Sequence, residues 1–281
     1  MNKITIITAA TITSVFIATI VVDLFSDNIP MNILYVVVCI VVVLFILRKW
    51  NYADWKFKRW CRHNGIHTNK LEVGYNEEMR RGLYATRDIK AGDMLVEVPL
   101  ASCIHEEVLP DTTFTEGDFT LATKLMLCDR HGGKFKGYID YMPRDPHLIA
   151  DWSDEEIDRI QYPKGYDLRD DQRKENEMYP KSLKRYMDLV RSRRIILRYE
   201  GSHVLMMIPM VDMINHGTSR ESNGFEIDIR VEDKYVRLYS PRNYTKGEEI
   251  LMSYGDAESG RESRDHHLSC LLYTSPSPRD S

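Results

Sequence analysis

The sequence predicts an α+β fold carried behind two transmembrane helices, and three observations lead there. Two uncharged apolar runs open the chain, at 4–22 and 31–47. Short β-rich pieces occur at 71–99 and again from 204 to 253. A long stretch of helical character, from 105 to about 194, separates them. Strands and helices do not alternate as βαβ units, which argues against a doubly wound parallel sheet.

Each apolar run has roughly the 17–25 residues needed to cross a hydrocarbon core as a helix. Two in tandem argue against buried core helices, and no small-x-small cleavage site follows the first. The short acidic segment between them ends at Pro30, which suits a helix start. Arg48 and Lys49 follow the second run, and then Lys56, Lys58, Arg59 and Arg62 interleave with Trp50, Tyr52, Trp55 and Trp60. Basic residues mark the cytoplasmic flank and Trp/Tyr the membrane interface. Such a cluster also attracts anionic headgroups. The expectation is an integral membrane protein with both termini and its soluble part in the cytosol. Asn243-Tyr244-Thr245 offers a check on this topology, since a lumenal domain would present it for glycosylation.

The net charge of −4 argues against a nucleic-acid binder. The five cysteines are scattered and never spaced C-x-x-C. They form neither a disulfide framework nor a zinc cluster, and fit a reducing compartment.

In the soluble part, 82–86 and 94–98 read as strands around a turn at Lys90-Ala91-Gly92-Asp93, with Pro99 as a stop. Ser153-Asp154-Glu155-Glu156 reads as a helix N-cap with an acidic first turn. Residues 179–194 form a helix candidate with a basic, solvated face. Strand signals return at 204–208, 225–229, 235–239 and 250–253, the last after a turn at Lys246-Gly247-Glu248.

The segment V-D-M-I-N-H-G at 211–217 combines an acid, an amide, an imidazole and a helix breaker. Alone it permits a metal site, an acid/base cluster or a polar turn. Three other pieces stand with it in order: R-G-L-Y-A-T-R-D-I-K-A-G-D at 81–93, Y-I-D-Y-M-P ahead of D-W-S-D-E-E-I at 151–157, and Y-T-K-G-E-E-I-L-M-S-Y-G at 244–255. Together they resemble the SET-domain protein methyltransferases, in particular the branch typified by the Rubisco large-subunit lysine methyltransferase. The resemblance runs from about 70 to 258. It implies short β-sheets with a knot-like crossing of the N-H and S-Y-G segments, a core split by a helical insertion, S-adenosylmethionine as cofactor and no metal.

The domain organisation that follows is a two-helix anchor at 1–50, a juxtamembrane segment at 51–70 and an N-terminal SET half at 71–104. A helical insertion occupies 105–190 and the C-terminal SET half 191–258. The tail, 259–281, departs from the family's pattern: no asparagine and aromatic segments follow S-Y-G, and the end reads as truncated and partly non-native sequence.

The resemblance also implies roles. Tyr254 would orient the acceptor amine or the methyl group, with Gly255 giving room beneath the cofactor. Asn215 and His216 would line the adenosine pocket largely through their backbones, and Asp212 would help hold the crossing. Taken alone, Asp212 reads equally as a turn or cap residue and His216 as a structural histidine. Ser192 and Arg193 would approach the methionine part of the cofactor, Arg193 by pairing its carboxylate; a solvated basic face is the alternative. The backbone of Arg81, Gly82, Leu83 and Tyr84 would border the cofactor, although M-R-R-G-L at 79–83 lacks one glycine and the acid of the family's E-G-x-G-L.

The expected function is methyl transfer to a protein. Lysine is the default acceptor, histidine an alternative, and the lack of zinc segments points away from histones. A free lysine has a pKa of about 10.4, so the site must supply a neutral amine. A catalytically silent docking module at a membrane is the competing reading. A channel is disfavoured because neither apolar run carries an Asp, Glu, Lys, Arg or His.

Overall fold

The computed structural model describes residues 52–76, 81–108, 114–159, 161–217 and 228–252. The two expected membrane spans lie outside these residues, as do Tyr254, Gly255 and the tail. Among the described residues, no helix is long and apolar enough to cross a membrane.

A helix over 52–63, α1, leads into four strands: β1 His67–Thr68, β2 Leu71–Tyr75, β3 Arg81–Ala85 and β4 Met94–Pro99. A fifth, β5 Ile104–Val108, precedes the helices α2 Phe114–His131, α3 Lys136–Ile139, α4 Asp154–Arg159, α5 Gly165–Glu177 and α6 Lys184–Arg193. Strands β6 Ile195–Tyr199, β7 Ser202–Met207, β8 Asn215–His216, β9 Asp228–Glu232, β10 Tyr235–Tyr239 and β11 Glu249–Met252 follow.

They form three small sheets, ordered β1-β4-β10-β9, β2-β3-β11-β8 and β5-β7-β6. All three join strands from before and after the helices. Strand β10 alternates, burying Val236 and Leu238 between half-exposed Tyr235, Arg237 and Tyr239, as a one-face-buried strand must. Strand β7 is apolar without alternation through Val204–Met207 because both of its faces are covered, with α2 packed on the sheet it shares with β5. Leu121, Ala122 and Leu125 are the buried residues of α2's apolar side, and they join Leu83, Leu95, Leu205 and Ile250 in one core.

The turns sit where the sequence predicts. Asp93 accepts from the Lys90 amide at 2.8 Å, and Glu248 from the Thr245 amide at 2.9 Å. Ser153 and Glu156 close a reciprocal capping box: the Ser153 amide donates to Glu156 Oε2 at 2.9 Å and the Glu156 amide to Ser153 Oγ at 3.3 Å.

Three expectations need correction. The helical region does not begin at His105, because I-H-E-E-V is strand β5, paired from Ile104↔Met207 to Val108↔His203. Its charges mask a strand whose partner is remote. The helix expected at 179–194 is interrupted at its start by Pro180 and a short 3-10 turn, so α6 begins at Lys184. Its basic face is only partly solvated: Arg191 is buried with Nη2 2.9 Å from Glu175, and Lys184, itself partly exposed, binds buried Asp188 at 2.7 Å.

Candidate functional site

Two small clusters occupy the ends of the central strands. The first is built on the pairing of β3 with β11, in the register Leu83↔Ile250 and Tyr84↔Glu249. Strand β8 adds itself parallel to β11, Leu251 opposite Asn215 and Met252 opposite His216. The Gly217 amide extends the ladder to the Met252 carbonyl at 3.1 Å. The N-H segment therefore runs beside the residues that immediately precede Ser253-Tyr254-Gly255. Asn215 is the tie: its Nδ2 donates to the Arg81 carbonyl at 3.1 Å and to Glu249 Oε1 at 2.7 Å. Gly82 sits beneath this pair. A Cβ there would fall 2.3 Å from Glu249 Oε1 and 2.9 Å from Asn215 Nδ2, so a larger residue would have to displace the carboxylate and amide ends of this pair. Leu83 is a core side chain, fully buried.

The second cluster centres on Asp212, in a 3-10 turn at Val211–Met213. The turn is entered through Met210 at φ 74 and ψ −48, close to the strained γ-turn region. Burial of Met210 and the bond from the Asp212 amide to the Ile208 carbonyl, 3.0 Å, hold it there. The Asp212 side chain has no solvent exposure. Its Oδ2 accepts from the Tyr138 hydroxyl at 2.8 Å and lies 3.3 Å from Arg193 Nη1, which also donates to the Asp212 carbonyl at 3.1 Å. Oδ1 is buried and has no hydrogen-bond donor among the described residues. Burial pushes the carboxyl above its ordinary pKa, opposed by Arg193, the Tyr138 hydrogen bond and the charge of Arg81. Burial and the neighbouring Asp212 in turn push the Tyr138 hydroxyl well up.

Arg81 links the clusters. Its carbonyl receives Asn215, while its guanidinium stacks 4.1 Å from the Tyr141 ring centroid and donates to the Tyr141 carbonyl at 3.0 Å. The structure thus gathers Arg81, Gly82 and Asn215 in one place and Arg193 and Asp212 in another alongside it. His216 is half-buried at the end of β8. Ser192 is buried on α6, with its hydroxyl 2.7 Å from the Asp188 carbonyl of its own helix. Arg193 is directed to Asp212, an internal carboxylate.

Sequence reasoning gave no role to Tyr138 or Glu249. A tyrosine in an aromatic-rich insertion has no signal separating it from core packing, and Glu249 stands beside a turn glutamate. Only the pairing of distant strands brings them to the site.

The family model described as SET domain matches residues 80–255. No curated protein matches the chain. Among solved structures, the SET domain of LSMT bound to methyllysine and AdoHcy aligns with a TM-score of 0.57 at 18% identity, covering 80% of this chain and 57% of its own. Rubisco LSMT bound to AdoMet aligns at 0.55 and 17% identity, over 80% and 57%. The SET domain of LSMT bound to lysine and AdoHcy aligns at 0.51 and 20% identity, over 72% and 53%. This chain spans little more than half the length of each, and the likeness is one of fold.

Proposed function

Because the chain belongs to the SET-domain family, as the match over residues 80–255 establishes, we propose that it is an S-adenosylmethionine-dependent protein methyltransferase. Its acceptor is a lysine of a non-histone protein, and residues 4–22 and 31–47 hold it to a membrane with the SET domain in the cytosol. The observation that carries the catalytic reading is the parallel pairing of β8 with β11, which sets Asn215 and His216 beside the strand leading into Tyr254. Structures of similar fold in complex with AdoMet, or with AdoHcy and lysine, support the choice of cofactor and acceptor.

The residues present fit that cofactor in one specific respect. Asp212 Oδ1 is a buried acceptor with no donor among the described residues, matched in charge to an α-ammonium group. Asp212 would hold that group and Arg193, planar and fork-shaped, the neighbouring carboxylate. The backbone of Asn215 and His216 would border the adenosine. When bound, the cofactor supplies an electrophilic methyl group. The chain's own task is to exclude water, align a neutral amine and keep the crossing rigid; alignment is the larger part of the gain. Tyr254 orients the amine through its hydroxyl.

The test is methyl transfer from labelled cofactor to candidate proteins by the full chain, with Tyr254→Phe beside it. Transfer by the wild type and its loss in the variant, with cofactor-induced stabilisation retained, is expected. A second reading, a silent docking module, draws on Ser192 and Arg193 being tied to internal partners. Absence of any upward shift in Tm with S-adenosylmethionine would overturn the enzyme reading in its favour.

A further inference from the structure

Helix α1 presents two opposite faces. Toward the domain, Phe57 and Cys61 are buried, and Phe57 stacks on Tyr141 with ring centroids 4.1 Å apart. Trp60 donates Nε1–H to the Lys134 carbonyl at 2.6 Å. These contacts fix the helix to the insertion, so its outer face has one orientation relative to the site. One turn apart on that outer face lie Tyr52, 56% exposed, and Trp55, 49% exposed. Their rings stack at 5.9 Å, and the Arg59 guanidinium covers Trp55 at 5.6 Å.

The charge on this helix is one-sided. Lys58, Arg59 and Arg62 are exposed and form no salt bridge with any described residue. The helix's acid, Asp54, instead accepts from Tyr141 and Tyr75. Beside the first turn opens a cleft of about 510 Å³ with Lys56, Lys136, Arg144 and Arg185 on its walls. Its two acids, Asp129 and Asp140, are met by Lys136, Arg185 and Lys56.

The geometry points to α1 as an interfacial helix that seats the SET domain on a bilayer bearing anionic headgroups. Trp and Tyr beside basic side chains match the boundary between acyl chains and headgroups. Each cation at an anionic surface strengthens attachment about fivefold, over a Debye length. The uncharged run 31–47 ends just before this helix in the sequence, so the face lies where a membrane would be nearest. The proposal deepens the membrane reading above by assigning the lipid class and the side of the domain that meets it. The face itself does not depend on either apolar run spanning the bilayer.

The full chain, reconstituted into vesicles of phosphatidylcholine with or without phosphatidylserine, supplies the test. Lipids brominated near the headgroup quench an inserted tryptophan, and subtracting the Trp55→Phe variant isolates Trp55. The expected result is a Trp55 signal quenched in the phosphatidylserine vesicles and released by about 1 M salt, where screening acts within about 3 Å. The triple variant K58E/R59E/R62E should lose that quenching while keeping the wild-type Tm. Equal quenching with and without phosphatidylserine, or none in either, would overturn the proposal, as would displacement of the vesicles by a single-stranded RNA. Alkaline extraction of the same vesicles reports separately on the anchor. A chain that is extracted refutes the spans, while the Trp55 signal at neutral pH still decides the role of α1.

Discussion

The hydroxyl of Tyr138 donates to Oδ2 of Asp212 at 2.8 Å, so a side chain of the helical insertion reaches the turn immediately before Asn215 and His216. Both side chains are fully buried, and the bond joins elements 74 residues apart. Tyr138→Phe leaves a buried carboxylate with one donor fewer, which should destabilise the domain by about 1–3 kcal/mol. Thermal unfolding checks the stability change. Under the proposed function, the stabilisation by S-adenosylmethionine should shrink as well; an unchanged cofactor shift would show that the bond serves packing alone.

The pH dependence of Asp212 has a definite sign. Its carboxyl pKa is raised from 3.8 by burial, so the folded state holds the proton longer than the unfolded chain does. Stability from this group is present below pH 3.8 and declines as pH rises through the folded pKa. Asp212→Asn removes that titration. The stability difference, variant minus wild type, should therefore move in the variant's favour as pH increases from 3.8, measured by denaturant unfolding across that range.

Cys61 and Cys103 are buried, and burial, with Asp212 nearby, pushes both thiols up to about 12. At about pH 8 their thiolate fraction is on the order of 10⁻⁴. Half-buried Cys128 should therefore be alkylated by iodoacetamide well before either of them in the native protein. Mass spectrometry after brief labelling reads the order. Equal labelling of all three would contradict the packing of α1 against the core.

Gly217 continues the β8–β11 ladder, and a Cβ there would meet Leu251 Cβ at 2.7 Å. That atom cannot move without its backbone. Gly217→Ala should therefore separate the two strands at a cost of about 1–3 kcal/mol. Gly82→Ala meets the far end of Glu249 instead and should be milder. A comparison of the two Tm values tests the ranking.

Strands with clear alternation and turn punctuation were legible in the sequence, and Tyr235–Tyr239 has the expected bounds. Strands β5 and β6 were not, because their residues are mixed and their pairing with β7 is a tertiary choice. At the site, the N-H segment and the strand before S-Y-G were legible as partners through their family resemblance. The commitment of Asn215 to Arg81 and Glu249 was not, since a side chain's partner across the chain leaves no local pattern. Arg191 shows the same limit: its run of basic neighbours reads as a wetted surface, yet it is buried against Glu175 and Asn176.

The sheets joining β3 to β11 and β4 to β10 also set a timetable for biosynthesis. Asn215 follows the carbonyl it binds by 134 residues, and Arg237 follows Glu97 by 140. At about 5–20 residues per second, the first strands wait on the order of ten seconds for these partners to leave the ribosome. Through that interval their unpaired edges are templates for other chains. Synthesis, more than the finished fold, is then the stage at which this protein is most exposed to aggregation.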